Sequence, residues 1–113
     1  MRRRRGKYRA IKTVVAGVEY ASKLEARVAA TLEGELRDGE TLATQVPVRF
    51  ACGAVYVCDF AIADSNGEIV RWIEAKGVEM PVWRLKLRIL KHERPDIYSR
   101  LEVITSKGRK VLK

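Results

Sequence analysis

The chain has 113 residues, 47% of them hydrophobic, which is enough for one domain with a buried core and too few for two. Its 23 Lys and Arg outnumber its 14 Asp and Glu, and the formal charge of +9 predicts a polyanionic partner, with nucleic acid as the leading candidate. This charge argues against a glycosidase or a protease, and two cysteines with one histidine are too few for a structural zinc site.

The N-terminal segment, residues 1–12, is rich in Arg and Lys and lacks apolar periodicity. It is predicted to be a mobile arm that either contacts phosphate or stays solvated. The apolar run after it is too brief for a secretory signal, and no later run reaches membrane-spanning length. We expect a cytoplasmic protein without a membrane partner, and a single domain over residues 1–113.

A first helix is predicted to begin near Ser22. Ser22 and Glu25 have the S-x-x-E spacing of a capping box, and leucine or valine then recurs at helical spacing from position 24 to position 36. Gly39 is predicted to end this helix, because glycine commonly follows a helix C-terminus.

Three strands are predicted to follow, over residues 44–50, 55–63 and 68–76. The first two are rich in β-branched and aromatic residues and are separated by a turn at Gly53. The last two are joined by Asn66-Gly67, the strongest short hairpin signal.

A second helix is predicted after Pro81, which suits a first turn, and Pro95 is predicted to end it. Trp83, Leu87 and Leu90 share one face of this helix. A last strand is predicted over residues 101–105, followed by a basic tail over residues 107–113.

The hairpin brings three charged residues together. If Asn66 and Gly67 are the two central turn residues, Ser65 pairs with Glu68, and the same register places Asp59 opposite Glu74. Lys76 then lies diagonally across from Asp59 on the same face.

Two opposed carboxylates repel each other, and a divalent metal ion between them would remove that cost. Mg²⁺ prefers one or two carboxylates together with waters and phosphate oxygens. The alternative is an exposed face on which Lys76 forms ordinary salt bridges with Asp59 and Glu74. The charged face is partly apolar, and the opposite face is predicted to be a core surface, so both faces look partly covered, as in the central strands of an α/β sheet, which favours the metal site. The predicted core surface consists of Tyr56, Cys58, Phe60, Ile62, Ile73 and Ala75.

Asp59 followed by Glu74-Ala75-Lys76 resembles the D…(D/E)-x-K signature of the PD-(D/E)XK nuclease superfamily, although Cys58 stands where the family usually has proline. Within that superfamily the chain is similar to small phage-encoded endonucleases and to Holliday-junction resolvases of the archaeal kind, in which a glutamate of the first helix joins the site. Glu25 matches that glutamate. The likeness extends over most of the chain through Lys7-Tyr8-Arg9, Gly17-Val18-Glu19-Tyr20, Ser22-Lys23-Leu24-Glu25-Ala26, Lys76-Gly77 and Trp83-Arg84-Leu85-Lys86.

The resemblance implies an α/β fold of the restriction-endonuclease-like type, with a central mixed β-sheet flanked by helices. It implies that Asp59 and Glu74 hold one or two Mg²⁺ ions, for which Mn²⁺ can substitute, and that Glu25 completes the set. Lys76 would stabilise charge on the phosphoryl oxygens or help to deprotonate the attacking water. A capping-box role alone would also explain Glu25.

The implied activity is hydrolysis of phosphodiester bonds in branched double-stranded DNA, as in a Holliday-junction resolvase. A four-way junction has two-fold symmetry, so a homodimer is expected, in the host cytoplasm if the chain is phage-encoded. Candidates for contacts with the DNA backbone are Arg3, Arg4, Arg5, Lys7, Arg9, Ser22, Arg27, Arg84 and Lys86. Two alternatives stay open: a general or nicking phage endonuclease on unbranched DNA, and a non-catalytic basic protein that binds nucleic acid.

Overall fold

The computed structural model describes residues 13–15, 18–20, 22–77 and 81–112, with side chains from residue 22 onward. The elements are β1 Thr13–Val15, β2 Val18–Tyr20, α1 Lys23–Glu35, β3 Thr41–Arg49, β4 Val55–Ala63, β5 Ile69–Ala75, α2 Pro81–Glu93, α3 Pro95–Tyr98, β6 Leu101–Thr105 and β7 Gly108–Val111. In the part of the chain described, no helix combines the length and apolar character needed to cross a membrane.

A mixed sheet of five strands organises the molecule, in the order β3-β4-β5-β6-β7. All neighbouring pairs are antiparallel except β5 and β6, which run parallel and are connected through α2 and α3. A separate antiparallel pair, β1 and β2, precedes α1. The predicted α/β class with a mixed sheet is therefore confirmed.

Helix α1 begins at the predicted capping residue. The Ser22 hydroxyl accepts a hydrogen bond from the N–H of Glu25 at 3.1 Å, which satisfies one of the free amides of the first turn. The helix ends at Glu35, so the predicted end at Gly39 is wrong. Leu36 continues the apolar spacing of the helix but packs on the core from an extended backbone, with φ −64° and ψ 137°.

Apolar side chains cover both faces of the sheet, as predicted for its central strands. The α1-side core consists of Ala26, Val28, Ala29, Leu32, Phe60, Ile62, Ile73 and Ala75. The α2-side core consists of Val48, Phe50, Tyr56, Cys58, Ala61, Trp72, Trp83, Leu90, Ile97, Leu101 and Val103. Along β5, Trp72 faces the α2-side core, whereas Ile73 and Ala75 face the α1-side core, as strand geometry requires.

The turn between β4 and β5 is longer than predicted. The N–H of Asp64 donates to the carbonyl of Glu68 at 2.8 Å, so residues 65–67 form a three-residue loop. Gly67 has φ 84°, the left-handed conformation that such loops require near their end. The predicted pairing of Ser65 with Glu68 is therefore wrong.

A β-bulge at Val70 compensates for the longer turn. Ala63 pairs with Ile69 on the turn side of the bulge, which leaves Val70 as the extra residue. The pairs on the other side follow the predicted register: Ile62 with Arg71, Ala61 with Trp72 and Phe60 with Ile73. Asp59 and Glu74 are the next positions in that register, as predicted.

Asp59 marks a reversal of side-chain direction along β4. Tyr56 and Cys58 belong to the α2-side core, whereas Phe60, only two residues further on, belongs to the α1-side core. On the neighbouring strand β3, Gln45 has φ 54° and interrupts the alternation at the facing position. The prediction that Tyr56, Cys58 and Phe60 line one core face is therefore wrong.

The C-terminal segment is a strand and not the predicted basic tail. Gly108–Val111 forms β7, which pairs with β6 at the edge of the sheet, and all four of its residues are exposed. The preceding elements agree with prediction, since α2 ends at Glu93, Pro95 begins the short α3, and β6 spans Leu101–Thr105.

Candidate active site

The backbone hydrogen bonds between β4 and β5 stop at the position of Asp59, where the Asp59 side chain bonds to the neighbouring strand instead. Its Oδ2 accepts a hydrogen bond from the N–H of Ala75 at 3.0 Å, across the gap between the two strands. The N–H of Asp59 in turn lies 3.5 Å from Oε1 of Glu74. The carboxylate of Asp59 is thus fixed by backbone at the point where the strands separate.

Among the described residues, Glu74 is the one charged residue that is buried, with 5% of its surface exposed. The Tyr56 hydroxyl donates a hydrogen bond to its Oε1 at 2.6 Å. Tyr56 comes from β4 and reaches Glu74 because the side-chain reversal at Asp59 turns it toward the α2 side. A single phenol therefore orients this buried carboxyl group.

Lys76 follows β5 and lies between the acids and an aromatic ring. Its Nζ is 3.9 Å from Oε2 of Glu74 and 4.7 Å from the ring centroid of Trp83 in α2. The rings of Trp83 and Tyr56 are 6.0 Å apart between centroids, so one aromatic pair borders both Lys76 and Glu74. The lysine side chain is half-buried and is held toward the carboxylates.

Gln45 completes the surroundings of Asp59 from the opposite side. Its exposed side chain lies close enough to the Asp59 carboxyl group to help lower the pKa of that group. Among the described residues it is the one non-glycine residue with positive φ, a conformation that costs about 1 to 3 kcal/mol. A strained residue beside a buried acid is a feature of functional sites, and no sequence signal indicated it.

Both acids have a raised proton affinity, chiefly because they are withdrawn from water. Burial raises the pKa of Glu74, and the negative charge of Asp59 raises it further, to about 8. Burial also raises the pKa of Asp59, against the hydrogen bond from Ala75 that lowers it. Two neighbouring carboxyl groups with raised pKa values favour a neutralising proton or cation between them.

The oxygen atoms of Asp59 and Glu74 are the donors available to a cation here. Mg²⁺ prefers one or two carboxylates together with waters and phosphate oxygens, so this pair fits the protein part of such a ligand set. Residues 22–77 and 81–112 contain no cluster of three or more His, Cys, Asp or Glu side chains that could hold a metal ion. Glu25 is half-buried in the first turn of α1, and the structure does not group it with Asp59 and Glu74 as a third ligand.

The predicted DNA-contact residues are spread over the surface. Arg27 on α1 and Arg84 on α2 are exposed, Lys86 is half-buried, and Ser22 serves as the N-cap of α1. Arg27 lines a small cavity of about 190 Å³ between α1 and β6. The remaining predictions, Arg3, Arg4, Arg5, Lys7 and Arg9, lie outside the described residues.

The site is defined by the buried Glu74, the half-buried Asp59 and Lys76, at the point where two antiparallel strands of a mixed sheet separate. Sequence reasoning found Asp59, Glu74 and Lys76 but missed Gln45 and assigned Tyr56 to the core alone. In comparisons with known proteins, no family model, curated protein or solved structure matches the chain.

Proposed function

We propose that this protein is a divalent-metal-dependent DNA endonuclease of the PD-(D/E)XK type. The observation that supports it most strongly is that Glu74 is buried beside the half-buried Asp59, with Lys76 Nζ 3.9 Å from Glu74. Burying two like charges destabilises a fold unless a cation or a proton neutralises them. A metal site that acts on a polyanion accounts for both the acids and the overall charge of +9.

The chemistry follows from the positions of the side chains. Asp59 and Glu74 would hold Mg²⁺ or Mn²⁺, which supplies Lewis acidity toward water and a phosphoryl oxygen. Ala75 N–H and the Tyr56 hydroxyl keep the two carboxylates oriented, so that little reorganisation is needed on binding. Lys76 presents its ammonium group beside the acids, where it would stabilise negative charge developing on the phosphate.

The architecture supports the restriction-endonuclease-like assignment. The hairpin β4–β5 carries the acids, α2 crosses from β5 to the parallel strand β6, and α1 packs on the other face of the sheet. This arrangement leaves Glu25 at the start of a helix that packs in the same core as Ala75, the partner of Asp59. A role for Glu25 beside the carboxylate pair is part of the proposal.

The proposed substrate is branched double-stranded DNA, cut by a homodimer in the cytoplasm. A junction-cleavage gel tests this, with a four-way junction beside a linear duplex of matched sequence, each with and without Mg²⁺. Cleavage of the junction alone, dependent on Mg²⁺ and lost in Lys76→Ala, would support the proposal. Equal cleavage of both DNAs would indicate a general or nicking endonuclease, and binding without cleavage in Mg²⁺ or Mn²⁺ would indicate a basic binding protein.

A further inference from the structure

A groove opens beside the candidate active site, between α2 and the β6–β7 hairpin. Its volume is about 620 Å³, within the usual range of ligand pockets. Lys76 and Trp83 belong both to this groove and to the site. Whatever occupies the groove would therefore lie next to the carboxylate pair.

The groove has a positively charged rim. Lys107 and Lys110 from the β6–β7 hairpin line it together with Lys76, and none of the described residues that line it is Asp or Glu. Lys107 and Lys110 are exposed, and neither forms an ion pair within the described part of the chain. Arg109 also lines the groove, but its charge is shared with Glu35 at 3.0 Å. The positive charge of the rim thus comes mainly from Lys107 and Lys110, since Lys76 is paired with Glu74.

The floor of the groove is apolar. Trp83 and Leu87 of α2 and Leu112 after β7 supply it, and Thr105 and Ser106 add hydroxyl groups at one side. Contacts with a duplex backbone need cations and hydrogen-bond donors but no apolar floor. An apolar surface bordered by lysines is the arrangement that binds unpaired nucleotides, because bases pack on the floor while phosphates meet the rim.

We propose that this groove binds a short unpaired segment of the nucleic-acid substrate, adjacent to the scissile phosphate. The inference rests on the proposed function for the identity of the polymer and adds that the strand entering the site is locally single-stranded. A volume of about 620 Å³ is suited to a few nucleotides and far too small for a duplex.

Fluorescence anisotropy with a labelled oligothymidylate in EDTA measures this binding without cleavage. Lys107→Ala/Lys110→Ala should weaken binding about tenfold and reduce the slope of log affinity against log salt by about 0.7 for each lysine. The matched control is Arg37→Ala/Arg49→Ala, which removes the same charge from exposed positions near the opposite, β3 edge of the sheet. Equal weakening by both double variants, or no binding by the wild-type protein, would overturn the proposal.

A second comparison isolates the apolar floor. An abasic oligonucleotide of the same length should bind the wild-type protein several-fold more weakly than oligothymidylate, because it offers phosphates without bases. Leu112→Ala should reduce that difference while leaving the abasic affinity unchanged. Equal wild-type affinity for the two oligonucleotides would reject an unpaired-base site.

The two proposals fail separately in these experiments. Groove-dependent binding of oligothymidylate without any Mg²⁺-dependent cleavage would refute the nuclease while supporting the groove. Cleavage that requires Asp59, with oligothymidylate binding unaffected by Lys107→Ala/Lys110→Ala, would refute the groove while supporting the nuclease.

Discussion

The residues around Asp59 include some that destabilise the fold and others that offset part of that destabilisation. Gln45 adopts a left-handed backbone and Glu74 is buried with an acidic neighbour, and both features reduce stability. Tyr56 and the N–H of Ala75 offset part of this cost by hydrogen bonds to the carboxyl groups. These residues hold the two carboxyl groups in a fixed geometry at the expense of stability.

Substitution of Gln45 separates backbone strain from the side-chain contact. Gln45→Gly and Gln45→Ala both remove the Gln45 side chain from beside Asp59, but only glycine relieves the positive φ of 54°. The glycine variant should therefore be more stable to urea than the alanine variant by about 1 kcal/mol. Alanine equal to or above glycine in stability would show that the backbone is unstrained there.

The carboxyl pair predicts an unusual pH dependence of metal-free stability. The folded-state pKa of Glu74 is raised from 4.5 to about 8, so the native state retains a proton that the unfolded state loses in this window. Tyr56, Cys58, Asp59 and Lys76 are the ionisable groups that face it. The unfolding free energy should fall as pH rises from about 5 to 8.

Urea unfolding in EDTA at several pH values measures this effect. The wild-type protein should lose about 2 kcal/mol more than Glu74→Gln across the window, because the glutamine cannot ionise. Parallel pH profiles for the two proteins would show that Glu74 ionises normally in the fold.

Glu25 has two possible roles that one substitution distinguishes. Glutamine serves as well as glutamate in a capping box, so Glu25→Gln should keep the helix and the melting temperature of the protein. If the carboxylate contributes to metal binding, the same variant should lose junction cleavage by about tenfold or more. Wild-type cleavage by Glu25→Gln would leave Glu25 with the capping role alone.

At the level of elements, the sequence predicted the correct β4–β5 register near Asp59 but the wrong turn between the two strands. Asn66-Gly67 indicated a two-residue turn, whereas the loop has three residues and Val70 forms a bulge that restores the register. The bulge was not predictable because Val70 has an ordinary strand-forming side chain. Residues 108–111 were missed as a strand because all four are exposed and show no apolar alternation.

Substitution of two glycines by alanine tests whether the β4–β5 loop depends on the left-handed conformation of Gly67. Gly67→Ala should destabilise the protein by about 1 kcal/mol, because alanine is disfavoured at φ 84° although nothing lies within 4 Å of an added Cβ. Gly34→Ala in α1 is the control, since it also meets open space and should stabilise by about 0.5 kcal/mol. Thermal unfolding compares them, and equal effects of the two substitutions would contradict the loop assignment.

At the scale of the whole molecule, ion pairs join α1 to the far strands of the sheet. Glu35 at the end of α1 contacts Arg71 of β5 and Arg109 of β7, each at 3.0 Å, and Arg71 also binds Glu102 of β6 at 2.7 Å. These contacts fix the β6–β7 hairpin beside the site and leave its lysines facing the groove. Sequence spacing predicted none of them, because the partners are distant in the chain.

The most direct test of the active site is the rate at which a four-way junction is cleaved in Mg²⁺ by three proteins: the wild type, Asp59→Asn and Asp38→Asn. Asp38 is an exposed aspartate in the turn after α1 and controls for the general loss of one negative charge. We predict that Asp59→Asn lowers the rate by at least about 100-fold while Asp38→Asn cleaves like the wild type. Cleavage by Asp59→Asn at the wild-type rate would contradict the assignment of the carboxylate pair as the catalytic metal site.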